Sequence, residues 1–205
     1  GKTTTIYACL DYIASLGSRH VVTIEDPVEQ IIPEIMQTEI SLPLGLTFAV
    51  AAKHLLRQDP QVLVIGEIRD EETANIAISA AFTGHIVITT LHAGSCKGVI
   101  ERLIDMSYDK YAVISAISLI INQRLLRKIC NFCNGNKCEK CFGSGYLGRI
   151  PVVEMLSLDD VSRKKIRENG IYDVLPEISM KNSASILIEK QIVDNFEYLR
   201  IFGCL

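Results

Sequence analysis

Four cysteines form the strongest chemical signal in this sequence. They occur as two Cys-x2-Cys pairs separated by four residues: Cys130, Cys133, Cys138 and Cys141. Four thiolates with no accompanying His, Asp or Glu are typical of a structural zinc site, in which tetrahedral coordination leaves no open position for a substrate. We therefore predict a zinc knuckle that stabilises the fold, and we expect catalytic groups elsewhere in the chain.

The first residues match the second half of a phosphate-binding loop. The full pattern is G-x-x-x-x-G-K-[ST], and the chain opens with Gly1–Thr4, read GKTT. In such loops backbone N–H groups surround the phosphates, the lysine contacts their outer oxygens and the hydroxyl holds magnesium. Because the leading half is missing and the short string is common by chance, the motif alone does not distinguish a nucleotide site from an exposed amino terminus.

Alternating helices and strands give this motif a context. Apolar residues at helical spacing predict a helix over 5–16, and short apolar runs predict strands at 21–24, 62–65 and 86–91. An Ala-rich helix is predicted over Glu71–Phe82. This alternation predicts an α/β fold with a parallel sheet covered on both faces, whose ligands bind at the carboxyl ends of the strands. The polar residues at those ends are Glu25, Asp26, Glu67 and His92.

Composition limits the possible partners and compartments. The 205 residues are 48% apolar and 22% charged, which is enough to bury a core. A net charge of −3 provides no bulk positive field, so we do not expect a nucleic-acid partner. Outside the metal spacing, the cysteines are scattered at Cys9, Cys96 and Cys204, which favours free thiols in the cytoplasm over disulfides. No secretory signal pattern is present in the sequence.

The second half of the chain is predicted to continue with helices and one extended segment. The apolar stretch Tyr111–Ile121 is shorter than the roughly 20 residues that cross a bilayer, and we predict a core helix there. Tyr146–Leu156 is predicted to be extended. Helices are predicted over 158–168, 178–191 and 194–201.

Five ordered motifs resemble those of one family, the secretion ATPases of type II secretion, type IV pilus assembly and the competence pseudopilus. The motifs, in chain order, resemble the end of Walker A (Gly1–Thr5), the Asp box (Val22–Glu29), the Walker B region (Leu56–Pro60 with Val64–Asp70), the His box (Thr83–Ala93) and the turn after the zinc knuckle (Cys141–Pro151). The resemblance covers nearly the whole chain.

The resemblance implies a fold and a domain organisation. We expect a RecA-like P-loop NTPase core with a mostly parallel sheet over 1–129, a small tetracysteine zinc knuckle and extended segment over 130–156, and a C-terminal helical segment over 157–205. The chain departs from the family by lacking amino-terminal domains and the first half of Walker A. It therefore resembles a carboxy-terminal fragment, with weak or no ATPase activity alone. A second departure is the short linker between the cysteine pairs.

The resemblance also implies ATP, Mg²⁺ and Zn²⁺ as cofactors, and it assigns catalytic roles. Glu25 is expected to be the general base and Glu67 a magnesium ligand, although these two roles could be exchanged. His92 is expected to sense the terminal phosphate. Asp26 fits better as a turn residue before Pro27.

The remaining implied site residues bind nucleotide or metal. Lys2 is expected to contact phosphate, and Thr3 to hold magnesium together with Glu67. Arg57 and Arg69 resemble basic residues that face nucleotide sites in the family's ring, with surface ion pairs as the alternative. The implied nucleotide-binding set is Gly1, Lys2, Thr3, Thr4, Arg57 and Arg69.

The family resemblance implies a cytoplasmic hexamer at the inner face of the cell membrane. It would couple ATP hydrolysis to the addition of pilin-like subunits through an inner-membrane platform protein. One alternative is a chaperone-like zinc module, since Cys138–Gly145 fits a Cys-x2-Cys-x-Gly-x-Gly repeat, but this leaves the other motifs unexplained. A pilus retraction motor, which generally lacks the four-cysteine knuckle, and an inactive remnant are further alternatives.

Overall fold

The computed structural model describes residues 1–17 and 19–203, so that Cys204 lies outside the described residues. Contacts group the chain into two compact units. The first, here called the sheet unit, contains Lys2–Ser118 and Leu158–Asp173. The second, here called the hairpin unit, contains Gly1, Leu119–Ser157 and the chain from Val174 onward. The three-part division expected from the sequence stays a prediction.

A four-stranded parallel sheet forms the centre of the sheet unit. The strands are β1 (Val21–Glu25), β2 (Met36–Glu39), β3 (Val62–Ile65) and β4 (Ile86–Thr89). They are arranged in the order β2-β1-β3-β4, and each neighbouring pair is parallel. The two central strands, β1 and β3, are buried along their whole length. The predicted parallel α/β architecture is therefore confirmed.

Helices cover both faces of this sheet. They are α1 (Lys2–Ser15), α2 (Phe48–Leu55), α3 (Glu71–Phe82), α4 (Cys96–Asp105) and α5 (Lys110–Ala116). A further helix of this unit, α6 (Asp160–Asn169), packs against α5. Alternate side chains of β3 belong to different clusters: Leu63 and Ile65 pack with α2, α3 and α5, whereas Val62 and Val64 pack with α1. This alternation follows from the two-residue period of a strand.

The predicted core helix over 111–121 is wrong in its second half. α5 ends at Ala116, and Ile117 already has an extended backbone with φ −77° and ψ 129°. From Leu119 onward the chain forms β5 (Leu119–Ile129). The adjacent isoleucines Ile120 and Ile121 favour a strand, and pairing with a second strand overrides the apolar pattern that suggested a helix.

The hairpin unit is built on two long antiparallel strands. β5 pairs with β6 (Tyr146–Ser157), and the cysteine-bearing loop connects them. Helices α7 (Met180–Glu189) and α8 (Asn195–Phe202) lie within two residues of the helices predicted for this part of the chain. They pack on the hairpin through a cluster that includes Leu126, Val152, Ala184 and Tyr198. Among the described residues, no helix is both long and apolar enough to cross a membrane.

Candidate nucleotide and metal sites

A cleft of about 270 Å³ lies at the carboxyl ends of β1, β3 and β4 in the sheet unit. Ligands of parallel α/β sheets collect at this edge. Most of its lining residues have polar side chains, and the others are apolar residues or glycine. The lining residues are Lys2, Thr3, Ile6, Tyr7, Glu25, Asp26, Pro27, Glu29, Phe48, Val64, Gly66, Glu67, Thr90 and His92.

The first turn of α1 opens on this cleft. The helix begins at Lys2, and both Lys2 and Thr3 line the cleft. The first N–H groups of a helix have no partner within the helix, and the helix dipole places partial positive charge there. This end of α1 therefore suits a phosphate group. The other two loop residues predicted from the sequence do not line the cleft: Thr4 is exposed, and Gly1 lies beside Gln123 in the hairpin unit.

Lys2, His92 and Glu67 form a row of charged and titratable groups. The Nζ atom of Lys2 lies 3.2 Å from Nε2 of His92. The same His92 nitrogen lies 3.7 Å from Oε2 of Glu67. These three residues come from three separate elements, namely the start of α1 and the loops after β3 and β4. The fold thus brings together residues that the sequence separates by as many as 90 positions.

Arg69 links two cleft carboxylates. Its guanidinium donates to Oε1 of Glu67 and, over 3.2 Å, to Oδ2 of Asp26. The hydrogen bond from Arg69 is the main cause that lowers the pKa of Glu67, and the nearby charges of His92 and Lys2 act in the same direction. Burial opposes this shift but is outweighed. Glu67 therefore stays ionised well below neutral pH, as a cation ligand must.

Glu25 is held differently from Glu67. Glu25 is only 8% exposed. Its Oε1 atom accepts hydrogen bonds from Thr23 Oγ1 at 2.6 Å and from Gln37 Nε2 at 2.9 Å. The Tyr7 hydroxyl donates to the other oxygen, Oε2. No sequence pattern pointed to these three donors, because their roles arise only when α1, β1 and β2 are side by side.

Arg57 is not brought to the cleft. It lies in the turn after α2 and lines a separate cavity of about 480 Å³, together with Lys53, Asn75 and Tyr108. Its side chain is exposed. Within one chain, Arg69 therefore stands beside the cleft carboxylates, whereas Arg57 does not.

The four predicted metal ligands come together in the hairpin unit. The sulfur atoms of Cys130, Cys133, Cys138 and Cys141 all lie within 4.8 Å of one another. Three sulfur pairs are 3.8 to 3.9 Å apart. Four sulfurs at the usual Zn–S distance of about 2.3 Å would be about 3.8 Å from one another in a regular tetrahedron. The donor set and its dimensions therefore fit a tetrahedral metal ion.

Backbone geometry shapes this cluster around Cys141. Its sulfur accepts N–H bonds from Cys138 at 3.2 Å and Gly145 at 3.3 Å. Burial raises the pKa of the Cys141 thiol, but these donors outweigh burial and bring it to about 6. Gly145 has a φ of 79°, and a Cβ atom there would come 2.8 Å from the Gly135 carbonyl oxygen. Only glycine at position 145 therefore allows the backbone after the second cysteine pair to come this close to Gly135, which lies between the two pairs.

Comparisons with known proteins give a consistent picture. The chain is 39% identical over 185 residues to the type II secretion system protein HxcR of Pseudomonas aeruginosa, an alignment that covers 86% of this chain and 39% of HxcR. It is 37% identical over 216 residues to the type IV pilus assembly ATPase PilB of Thermus thermophilus, covering 92% of this chain and 24% of PilB. The chain thus spans about two fifths of HxcR and a quarter of PilB.

Solved structures show the same fold. The pilus retraction motor PilT with bound ADP superposes with a TM-score of 0.80 at 30% identity, over 98% of this chain and 57% of PilT. The Legionella pneumophila ATPase DotB superposes with a TM-score of 0.70 at 25% identity, over 91% of this chain and 52% of DotB. The fold predicted from the motifs, a RecA-like core with an added cysteine cluster and helical segment, is confirmed.

A family model extends this likeness from individual relatives to the chain as a whole. The model described as "Type II/IV secretion system protein" matches residues 1–194. The match includes the cleft, the cysteine cluster and helix α7, and it ends just before α8. By this match and by its relatives, the chain belongs to the type II/IV secretion system protein family.

Proposed function

We propose that the complete protein is the ATP-hydrolysing motor of a type II secretion system or of type IV pilus or pseudopilus assembly. The observation that carries this proposal is the row formed by Lys2, His92 and Glu67 at the first turn of α1. Phosphoryl transfer requires groups that bind phosphate and a carboxylate that holds a metal ion. Here the ammonium of Lys2 and the N–H groups at the start of α1 would bind phosphate, and the ionised carboxylate of Glu67 would hold the metal.

Phosphate binding is assigned to the start of α1. The β- and γ-phosphates would lie against the N–H groups of the first turn, with the Lys2 ammonium on their outer oxygens. Thr3 and Glu67 would hold Mg²⁺, which offsets the negative charge that develops on the phosphate oxygens. His92, whose imidazole already lies beside Lys2, would contact the terminal phosphate.

The general-base role is assigned to Glu25. A carboxylate offers about four acceptor positions. Three of them are used by Tyr7, Thr23 and Gln37, which leaves one to accept a hydrogen bond from the attacking water. Glu67 is less suited to this role because Arg69 occupies one of its oxygens and lowers its pKa.

Zinc is the metal that we assign to the cysteine cluster. Cys130, Cys133, Cys138 and Cys141 would form a closed tetrahedral site, whose metal stabilises the loop between β5 and β6. With four protein ligands the ion has no open position, so its contribution is to stability rather than to hydrolysis.

Assembly and location are proposed from the relatives. A hexameric ring, bound peripherally to the inner membrane through a platform protein, would convert ATP hydrolysis into the addition of pilin-like subunits. The exposed position of Arg57 away from its own cleft is consistent with a role at a neighbouring subunit's nucleotide. The cysteine cluster favours assembly or export over pilus retraction. The chaperone-like alternative is disfavoured because it leaves the cleft without a role.

ATP hydrolysis by an extended chain tests the proposal. The 205-residue chain should hydrolyse ATP weakly or not at all, whereas a chain extended at its amino end to complete the G-x-x-x-x-G-K-T loop should hydrolyse it in a magnesium-dependent manner. Lys2→Ala should abolish that activity, and Lys165→Ala, an exposed residue of α6, should not affect it. An extended chain that folds but hydrolyses no ATP would overturn the proposal.

A further inference from the structure

The hydroxyl of Tyr7 joins three segments of the cleft. Tyr7 lies on α1 and is 7% exposed. Its hydroxyl donates to Oε2 of Glu25. The same oxygen accepts hydrogen bonds from the backbone N–H groups of Glu29 and Gln30, each at 3.0 Å. One phenol oxygen therefore ties α1 to the end of β1 and to the loop that follows Pro27.

The direction of these bonds is fixed by the number of donors and acceptors. A tyrosine hydroxyl has one proton and accepts up to two hydrogen bonds. Both acceptor positions are used by backbone N–H groups, which can only donate. The single hydroxyl proton must therefore point to Glu25, and the two backbone groups set the direction in which Tyr7 donates.

Position along α1 connects this contact with the phosphate end of the helix. Tyr7 follows Thr3 by four residues, a spacing that places both side chains on the same face of a helix. Both residues line the cleft. Because a short helix moves as one body, Tyr7 fixes the distance between the phosphate-binding turn and the Glu25 carboxylate.

We propose that Tyr7 is a positioning residue, which orients the Glu25 carboxylate relative to a phosphate bound at the start of α1. The inference rests on the proposed function, in which Glu25 acts as the general base. Orientation of a catalytic group is a major source of rate enhancement. A loss of this hydrogen bond should therefore slow hydrolysis without weakening nucleotide binding.

Packing alone would be the competing explanation for Tyr7. Its ring belongs to an apolar cluster with Leu10, Val21 and Ile32. Tyr7→Phe keeps this ring and removes only the hydroxyl, so it separates the two roles. The variant also leaves the N–H groups of Glu29 and Gln30 without their acceptor, and its melting temperature should be recorded alongside its activity.

A first experiment tests the contact in the 205-residue chain itself, without any need for activity. Burial and the hydrogen bond to Glu25 raise the pKa of Tyr7. We expect Glu25→Gln to lower this pKa, as measured by NMR titration of ¹³C-labelled tyrosine, with the Tyr7 signal assigned from Tyr7→Phe. The control is Glu34→Gln, an exposed residue outside the cleft, which should leave the titration unchanged.

The other charged groups of the cleft must be held constant in this titration. They are Lys2, Asp26, Glu29, Glu67 and His92, with Arg69 bound to two of them. All are retained in both variants. A Tyr7 pKa that is the same in wild type and Glu25→Gln would overturn the contact and with it the inference.

A second experiment uses the extended chain with the complete phosphate loop. Tyr7→Phe should lower kcat about tenfold, a part of the 10²- to 10⁴-fold that a general base contributes, and should change KM for ATP less than about twofold. The control is Tyr12→Phe on the same helix, since Tyr12 is 66% exposed and lies outside the cleft.

The outcomes separate this inference from the proposed function. If Glu25→Gln is inactive while Tyr7→Phe keeps full kcat, the positioning role is wrong and the general base stands. If Tyr7→Phe raises KM and leaves kcat unchanged, Tyr7 serves binding and not orientation, which also overturns the inference. If the extended chain hydrolyses no ATP with Tyr7 intact, the proposed function fails, whatever the tyrosine titration shows.

Discussion

The Lys2 ammonium and the His92 imidazole are in hydrogen-bond contact, with Nζ 3.2 Å from Nε2. The lysine expected to hold phosphate is therefore paired with the imidazole expected to sense it. A terminal phosphate that enters this place can accept hydrogen bonds from both groups. Glu67, 3.7 Å from the same His92 nitrogen, completes the row.

This contact predicts the effect of removing the imidazole. In the extended chain, His92→Ala should lower kcat by about 10- to 100-fold, because it removes a group that we propose stabilises charge on the terminal phosphate. ATP affinity should fall less, since Lys2 and the start of α1 remain. Steady-state kinetics and nucleotide titration measure the two effects. His54→Ala, on the exposed side of α2, is the control, and equal effects of the two substitutions would contradict the role of His92.

Arg57 should matter only in an assembly. Because its side chain lines a cavity separate from the cleft, Arg57→Ala should leave the ATP affinity of a single chain within about twofold of wild type. In the proposed ring the same substitution should lower ATP hydrolysis about tenfold. Nucleotide titration of the monomer and ATPase assays of the oligomer test the two parts. A loss of affinity in the monomer would contradict this separation.

Metal content tests the cysteine cluster. Purified protein should contain about one zinc per chain, and a thiol-modifying reagent should release it. Cys138→Ser should reduce the zinc content and lower the melting temperature, whereas Cys9→Ser, an exposed thiol of α1, should change neither. Elemental analysis of protein grown in zinc-supplemented medium gives the measurement. A wild-type protein that contains no metal, and whose melting temperature does not change when zinc is added, would rule out a structural metal.

The stability of the hairpin unit should depend on pH because of Glu197. This fully buried carboxylate accepts hydrogen bonds from Arg127 and Arg200 at 2.6 to 2.8 Å. Burial raises its pKa, but the two arginines outweigh burial and lower it from 4.5 to about 2. Because the pKa of Glu197 is lower in the folded than in the unfolded state, the ionised carboxylate stabilises the fold at pH values above about 4.5. This stabilisation is lost as the pH falls from about 4.5 towards 2.

Substitution of Glu197 should remove this pH dependence. Glu197→Gln should lower the free energy of unfolding at pH 7 by about 3 kcal/mol, since it leaves two arginines without their charged partner. The difference from wild type should shrink as the pH approaches 2. Urea denaturation at several pH values measures it, with Glu189→Gln at the exposed end of α7 as control. A constant difference across the acid range would show that the ion pairs are not its cause.

Sequence patterns identified most of the cleft but not its supporting contacts. Glu25, Glu67 and His92 follow strands whose continuous apolar runs are easily recognised, so their meeting at one sheet edge could be expected. Tyr7 and Gln37 could not be found in this way. Gln37 lies in β2, a four-residue strand with the polar sequence MQTE, which gives no apolar pattern. From the sequence alone, Tyr7 is indistinguishable from the other residues on the buried face of α1.

Local patterns also misjudged the chain after α5. The run over 111–121 is apolar enough for a buried helix, yet Ile120 pairs with Leu156 of β6, 36 positions away. Such long-range pairing leaves no local mark in the sequence. The cysteine cluster was the opposite case, because four ligands at fixed spacing specify their own geometry.

The two-sided burial of β3 has a consequence for any attempt to re-engineer this protein. Val64 faces α1 and the cleft, while its neighbours Leu63 and Ile65 face the helices on the other side of the sheet. A slip by one position would exchange these two environments and carry Glu67 away from Lys2. Substitutions meant to alter the cleft should therefore be made in the loops around it, and this strand should be left unchanged.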